Sequence, residues 1–326
     1  MSWKRPGAGL VGLAVSGALL VALYRSIDFQ LVGDALLGAD RMWLAISIGM
    51  IVPITVLRAI RFFWVAPAGA LPSIGEALRL TLSASALNVF MPAKSGDLIK
   101  SYRIAKGSKT STGVAVAIIV YERLCDLFGL LFWCLLGWAI GRPQVPGVPP
   151  VFWWLLSALA AVCGLLILSG RVARVVPRIL TSVLPFRRLQ KLRDLAHGWP
   201  GLLHVIRGRR RWIVSYSLLL WLTHLVQIWM FSVALSLSIP FVICASLSAV
   251  ALLAGQLPFT FSGLGTRDVA LVVLLSQYTA PESAAAIGVL IATRNLLPAL
   301  GGLPLMRAYL PSVVGDALRW REESKR

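Results

Sequence analysis

Long uncharged apolar stretches recur along this chain and limit its possible folds more than any other feature. A helix that crosses a bilayer needs ~18 or more consecutive apolar residues. The hydrophobic share is 58% and the mean hydropathy is +0.80, whereas about 45–50% of the residues in soluble domains are apolar. The sequence therefore predicts an all-α polytopic membrane protein. Six full spans are expected, at about 8–24, 43–63, 112–140, 151–169, 212–235 and 282–305.

The segments between these spans are too short for a second folded domain. Residues 1–326 are therefore expected to form a single transmembrane domain. The N-terminus resembles a signal peptide, with Lys4 and Arg5 before an apolar run, but it has no convincing cleavage site before Tyr24. We expect this run to be retained as the first helix.

The distribution of basic residues predicts the orientation of the chain. A formal net charge of +19 would suggest nucleic-acid binding in a soluble protein, but here the basic residues flank apolar spans, so no nucleic acid is expected. Residues 170–211 carry eleven basic residues and one acid, which predicts a cytoplasmic segment. Segments 24–42 and 141–150 are poor in basic residues and are expected outside. Both termini, including the basic tail 306–326, are then cytoplasmic, in the cytoplasmic (inner) membrane of a bacterium.

The basic segment 170–211 also has a helical apolar pattern. Its apolar residues recur opposite the charges, which is typical of a helix that lies on the inner leaflet. The residues of this predicted apolar face are Phe186, Leu189, Leu192, Leu195 and Trp199.

Two further apolar stretches, 77–91 and 241–257, run into breaks that contain proline and glycine. If 77–91 crossed the membrane fully, the basic stretch 94–109 would lie outside, and so would 170–211. A hairpin over 77–104 that enters and leaves on the cytoplasmic side removes this conflict. A second hairpin from the outer side, over 241–278, likewise brings the basic tail back inside.

The two breaks resemble each other in sequence. "MPAKSGDLIK" at 91–100 and "LPFTFSGLGTRD" at 257–268 share a proline, a short spacer, Ser-Gly and a charged start to the returning half. Interrupted apolar segments at matching places in two oppositely oriented halves are typical of inverted-repeat transporters. We therefore expect an inverted repeat, with halves at about 8–140 and 212–305.

"NVFMPAKSGDLIKSYRI", "AVAIIVYERLCDLFGLL" and "LPFTFSGLGTRD" together resemble the signatures of the lysylphosphatidylglycerol synthase transmembrane-region family of flippase-like membrane proteins. The resemblance spans about residues 10–310, and Asp268 stands where the family usually has Glu. It implies a domain that moves lipids or lipid-linked molecules between leaflets. It also implies a stand-alone member, because the aminoacyl transferase domain found in some members is not in this sequence.

Charged residues within the apolar segments are the candidate site residues, because charge in hydrocarbon needs a partner or a purpose. Glu122, Arg123 and Asp126 lie in the middle of span 112–140, with the two acids on one helical face. One reading is an internal salt bridge that involves Arg123 or Lys100. The other is proton coupling or contact with a lipid headgroup. Both stay open.

The first break supplies candidates for binding a lipid phosphate. Lys94, Lys100 and Arg103 are its cations, and the returning half-helix at Ser95, Gly96 and Asp97 would add backbone N–H donors. Gly96, with Gly263 and Gly265 at the second break, is expected to allow tight turns or close helix approach.

The second half adds Arg267, Asp268 and Arg294 as candidates. Arg294 has no acid near it in sequence, so it is expected to find one across the bundle. The candidate acids are Asp97, Glu122, Asp126 and Asp268. Arg58 and Arg61, near the inner end of span 43–63, are expected to snorkel towards the headgroups.

The sequence predicts no cofactor and no metal site, because the four cysteines lie inside apolar runs and the three histidines are scattered. The function that the resemblance implies is lipid translocation, and it is expected to proceed without catalysis. A membrane-embedded lipid-modifying enzyme and an accessory scaffold for lipid synthesis remain as alternatives. The expected partners are membrane lipids with anionic headgroups, and a second copy of the chain or a lipid-synthesis enzyme stays open.

Overall fold

A computed structural model describes residues 27–90, 96–107, 110–143, 145, 148–169, 190–256, 265–307 and 309, together with positions 17 and 21, apart from the side chains of 90 and 190–197. Every regular element in these ranges is a helix. The helices are α1 Phe29–Leu37, α2 Arg41–Gly49, α3 Ile51–Val65, α4 Ile74–Phe90, α5 Leu98–Gly107, α6 Thr112–Gly141, α7 Pro150–Leu168, α8 Gln190–Val205, α9 Arg210–Ala234, α10 Phe241–Ala254, α11 Thr266–Leu275 and α12 Pro281–Met306.

Five of the six predicted spans fall on helices that are long and apolar enough to cross a membrane. These are the continuous segment Arg41–Val65 formed by α2 and α3, and the helices α6, α7, α9 and α12. Their outward faces carry large apolar side chains, such as Trp154 at 75% exposure and Leu155 at 63%, as lipid contact requires. The polytopic all-α fold is confirmed. The first predicted span, 8–24, lies outside the ranges described.

Helix α1 lies in a segment for which the sequence predicted only an outward loop. Asp28 caps its first turn, because its carboxylate accepts a hydrogen bond from the backbone N–H of Gln30 at 2.8 Å. Val32 packs against Ala285 and Ala286 at the start of α12, while Leu37 on the opposite face is 84% exposed. This short amphipathic helix therefore lies where α12 begins.

The bundle has two hydrophobic cores, one towards each end. The first core contains Ile118 of α6, Ile167 of α7 and Ile213 of α9. The second core contains other parts of the same three helices. Its members from them include Leu130, Trp153 and Phe231. Helices α6, α7 and α9 therefore run from one core to the other.

The pair α4–α5 leaves the first core and returns to it. The end of α3 and the start of α6 both pack in this core, at Val65 and Ala115. Near the open end of the pair, the Nε of Arg103 lies 3.3 Å from a carboxylate oxygen of Glu76. At its closed end, a β-carbon on Gly96 would lie 2.6 Å from that of Leu87. Helix α5 therefore runs back along α4, as the predicted hairpin over 77–104 requires.

The pair α10–α11 belongs to the opposite end of the molecule. Its members in the second core include Leu247 and Leu271. Helix α9 ends and α12 begins at this same end, because Leu235 packs against Ala285 and Ala286. The chain between 235 and 281 therefore leaves and returns at the second core.

Helix α8 packs on protein at the point where the sequence predicted contact with lipid. Trp199 is buried, and its ring lies 6.1 Å from that of Tyr121 in α6. Gly198 sits against the backbone of Gly113, where a β-carbon would overlap. The prediction of a lipid-facing Trp199 is wrong, because this close crossing turns Trp199 into the first core. Of the other predicted face residues, Phe186 and Leu189 lie outside the described ranges, and so do the side chains of Leu192 and Leu195.

Candidate functional site

A cavity of about 140 Å³ lies where the two short-helix pairs approach each other. The end of α4 contributes Asn88, and the segments around the second break contribute Gln256 and Arg267. Helices α3, α6, α9 and α12 complete the wall. We call this space the central cavity. Its wall combines residues from both pairs, which the chain presents from opposite ends of the molecule.

The wall of the central cavity is strongly cationic. Four arginines from four different helices reach it, and Asp126 is the carboxylate among the residues that line it. The polar remainder of the wall includes Asn88, His224 and Asn295. The four arginines are Arg58 of α3, Arg123 of α6, Arg267 of α11 and Arg294 of α12.

Asp126 is held by Arg61 of α3. The Nη1 of Arg61 lies 2.6 Å from Oδ1 of Asp126, and its Nε lies 3.7 Å from Oε1 of Glu122. Trp221 donates its indole N–H to Asp126 at 3.1 Å. Glu122 and Asp126 face Arg61 together because residues four apart share one face of a helix.

Lys100 joins the returning helix α5 to α6. Its ammonium lies 3.3 Å from Oε2 of Glu122 and 3.9 Å from Oδ1 of Asp97. The same ammonium stands 4.7 Å from the centre of the Phe62 ring. Lys100 is 4% exposed, so these contacts replace water around a buried charge.

Arg123 completes this arrangement from the cavity side. It pairs with Asp97, and its Nη1 lies 3.8 Å from Oδ2 of Asp126. Asp97 also accepts a hydrogen bond from Asn88 at 3.3 Å. The formal charges cancel in this set, which we call the ion-pair network. Its members are Arg61, Asp97, Lys100, Glu122, Arg123 and Asp126.

Arg267 and Asp268 form a second, self-contained pair at the start of α11. Nη2 of Arg267 lies 2.6 Å from Oδ1 of Asp268 and donates to the carbonyl oxygen of Gly288 at 3.2 Å. The other carboxylate oxygen of Asp268 accepts from the backbone N–H of Gly265 at 3.1 Å. Gly265 has a φ of 92°, which favours glycine because it has no β-carbon.

Arg294 lacks the acidic partner that the sequence predicted. Its Nη1 lies 3.3 Å from Nδ1 of His224, and its Nε has no hydrogen-bond partner in the described part of the chain. None of Asp97, Glu122, Asp126 and Asp268 lies within ion-pair distance of it. That expectation is wrong, because each of these carboxylates is already taken by a nearer cation.

The structure also corrects the expectation that Arg58 and Arg61 snorkel. Arg61 is 3% exposed and is paired within the bundle, while Arg58 faces the central cavity. Helix α6 presents two carboxylates to this face of α3, so Arg61 is satisfied without reaching the headgroups. Arg58 and Asn88 were absent from the predicted site. The face of its own helix on which each residue lies was the one signal in the sequence that could have indicated it.

The predicted site residues fall into five groups. Arg123, Asp126, Arg267 and Arg294 line the central cavity, and Asp97, Lys100, Glu122 and Asp268 contact those lining residues or their partners. Gly96 and Gly265 shape the two turns. Arg103 lies apart, paired with Glu76. Lys94, Ser95 and Gly263 lie outside the described ranges.

Comparison with known proteins, like the fold, indicates a membrane protein. A UPF0104 membrane protein of Methanocaldococcus jannaschii is 21% identical over 295 residues, which cover 84% of this chain and 86% of that protein. A UPF0104 membrane protein of Methanothermobacter thermautotrophicus is 22% identical over 300 residues, with the same coverage of 84% and 86%. The lysylphosphatidylglycerol synthase TM region family matches residues 9–302, nearly the whole chain. This multi-pass membrane protein therefore belongs to the lysylphosphatidylglycerol synthase TM region family.

Proposed function

We propose that the protein moves a lipid with an anionic headgroup between the two leaflets of the cytoplasmic membrane. The observation that carries this proposal is the central cavity. It is polar and cationic, yet it lies among helices whose outer faces are apolar. A lipid translocator needs this combination, because the headgroup needs a polar path while the acyl chains stay in hydrocarbon. The proposal is of a transporter without catalytic chemistry.

In this proposal, α4–α5 and α10–α11 are re-entrant hairpins. Each pair starts and finishes at one core, and the two pairs lie at opposite cores. With α2–α3, α6, α7, α9 and α12 as spans, the pairs would dip to mid-bilayer from opposite sides. The basic segment 170–211 then assigns the first core to the cytoplasmic side, with both termini there.

The two hairpins would belong to an inverted repeat and alternate in access. Irregular backbone at membrane depth is stable where protein or a water-filled cavity covers it, and Val89 and Gln256, which flank the two breaks in sequence, line the central cavity. Rocking of one half against the other would open the cavity first to one leaflet and then to the other. The ion-pair network, which ties α5 to α3 and α6, would keep the first hairpin rigid during this movement.

Reconstitution into proteoliposomes tests this function. The vesicles would contain acyl-labelled phosphatidylglycerol or phosphatidic acid, with labelled phosphatidylcholine as the zwitterionic control, and external dithionite would report the outer-leaflet fraction. We expect faster leaflet exchange of the anionic lipids than in empty vesicles. A modified lipid product would indicate the lipid-modifying enzyme instead, and neither movement nor product would favour the accessory scaffold.

Glu122→Gln tests the site within the same assay. The substitution removes the charge that faces Lys100 and Arg61 while it keeps the side-chain shape. We expect leaflet exchange to slow at least tenfold for protein of equal monodispersity. Asp34→Asn, at an exposed position of α1, is the matched control and should exchange at the wild-type rate. If the Glu122→Gln variant exchanged lipid at the wild-type rate, the ion-pair network would have no part in the proposed transport.

A further inference from the structure

Among the described residues, the charges around the central cavity do not balance, and the excess is confined to two residues. The cations of the ion-pair network are matched by its own acids, and Arg267 is matched by Asp268. Arg58 and Arg294 also line the cavity, and neither is within ion-pair distance of a carboxylate in the described part of the chain. The described wall of the cavity therefore carries an excess of two positive charges on two guanidinium groups.

We infer that Arg58 and Arg294 form a receptor for a doubly charged phosphate group, a phosphomonoester or a pyrophosphate diester. This inference rests on the proposed function and deepens it by naming the headgroup class. Arg294 is 8% exposed, and its Nε has no partner among the described residues. A guanidinium stays protonated in proteins, so such a buried donor needs an acceptor from outside the chain.

The chemistry of the two side chains favours phosphate over other anions. A guanidinium presents its donors in a planar fork that binds two oxygens of one phosphate. The two arginines come from different helices, α3 and α12, so one bound group with several acceptor oxygens can bridge them. A phosphomonoester carries about −1.5 to −2 charge near neutral pH, which matches the excess in the cavity. A diester carries a single charge and would leave one arginine uncompensated.

The size of the cavity limits what accompanies the phosphate. A volume of about 140 Å³ holds on the order of ten water molecules, at about 10–15 Å³ each by this measure. One phosphate or a pyrophosphate fits this space, and an oligosaccharide does not. Any larger part of the headgroup would therefore remain outside the central cavity.

Ligand-dependent thermal stability of the purified protein in detergent, at pH 8, tests the inference. The probes are phosphatidic acid, with a phosphomonoester, and phosphatidylglycerol, with a diester on the same acyl chains. Inorganic pyrophosphate forms a third arm that carries no lipid. We expect phosphatidic acid to bind at least tenfold more tightly than phosphatidylglycerol. Equal binding of the two lipids by the wild-type protein would overturn the inference, and this arm needs no variant.

Two variants locate the site. Arg58→Gln and Arg294→Gln should each weaken phosphatidic acid binding at least tenfold, whereas Arg209→Gln, at an exposed position, should not. Each of the first two removes an unmatched charge, so the unliganded protein should be at least as stable as the wild type. A marked loss of unliganded stability would contradict the charge excess. Unchanged binding by both variants would overturn the assignment of these residues.

The pyrophosphate arm and the transport assay separate this inference from the proposed function. Pyrophosphate that binds as tightly as phosphatidic acid, with the same dependence on Arg58 and Arg294, would support the phosphate receptor and contradict a lipid source. Selective binding of phosphatidic acid without leaflet exchange in proteoliposomes would support the receptor and overturn translocation.

Discussion

Arg58 and Arg61 lie three residues apart on α3, yet their surroundings differ completely. Arg61 meets two carboxylates of α6 and is 3% exposed. Arg58 meets none within ion-pair distance in the described structure and faces the central cavity. An arginine costs about 2.5–3.5 kcal/mol at the centre of a bilayer by insertion scales. Pairing offsets this cost for Arg61, and we assign the bound phosphate to offset it for Arg58.

Asp126→Asn should destabilise the protein strongly. The variant removes the carboxylate charge that lies 2.6 Å from Nη1 of Arg61, so this buried cation loses its nearest counter-charge. Breaking a buried ion pair from one side typically costs about 3–5 kcal/mol. Unfolding of the detergent-solubilised protein, followed by circular dichroism, measures this loss. Asp34→Asn is the control at an exposed site, where about 0.5 kcal/mol or less is expected.

The double variant Asp126→Asn with Arg61→Met tests whether the loss of stability comes from the unpaired cation. It removes both charges of the pair, so no buried guanidinium is left without its counter-charge. We expect its stability to recover relative to Asp126→Asn. An Asp126→Asn protein as stable as Asp34→Asn would show that Arg61 does not depend on this carboxylate.

Helix α4 is held in place by close approach of its backbone to α12. Gly302 of α12 sits against the backbone of Leu82 in α4, where a β-carbon would overlap the carbonyl oxygen. Ala86 lies beside the same contact. Small residues at helix crossings are typical of membrane bundles, because dispersion contacts and not water exclusion drive packing there. Helix α12, which carries Arg294, is thereby fixed against the first hairpin.

Gly302→Ala should therefore destabilise the bundle, while Gly301→Ala should not. Overpacking at a tight contact costs about 1–3 kcal/mol. A β-carbon at Gly301 meets nothing within 4 Å, and alanine is favoured over glycine in a helix by about 1 kcal/mol. Thermal unfolding of the two variants side by side measures the difference. Equal midpoints would mean that α4 and α12 are not in this close contact.

The helices themselves were largely predictable, because apolar length is a local property of the sequence. The prediction of a hairpin over 77–104 came from counting basic residues on each side of the membrane, and the structure shows α5 running back along α4. Helix α1 was not predicted, because its short apolar pattern at 29–37 is no stronger than that of a loop beside a membrane. Trp199 was assigned to lipid, since an apolar helical face does not reveal whether protein or lipid covers it.

The sequence predicted which charged residues belong to the candidate site, but not which of them form ion pairs with each other. Arg123, Asp126, Arg267 and Arg294 were chosen because charge in an apolar run is costly, and they line the central cavity. Arg294 was given an acidic partner that the structure does not supply. Which carboxylate a cation reaches depends on the tertiary distances between helices, and these leave no trace in a single sequence.

Across the bundle, the two hairpins and the central cavity depend on one topological feature. The chain leaves and re-enters the first core between α3 and α6, and the second core between α9 and α12. If either excursion were a full crossing, the residues that flank the two breaks would not share one cavity and the four arginines would face different surroundings. The function and the phosphate receptor proposed above both depend on this arrangement.

Single-cysteine labelling in intact cells tests that arrangement most directly. The native cysteines Cys125, Cys134, Cys163 and Cys244 are buried and can be replaced by alanine for a clean background. New cysteines would replace three exposed residues, Lys106 in the last turn of α5, Arg209 before α9 and Gln277 after α11.

We expect a membrane-impermeant maleimide to label Gln277→Cys from outside, and Lys106→Cys and Arg209→Cys only after the membrane is permeabilised. Labelling of Lys106→Cys from outside while Arg209→Cys stays protected would mean that 74–107 crosses the membrane. That result would contradict the first hairpin, and with it the central cavity between the two breaks.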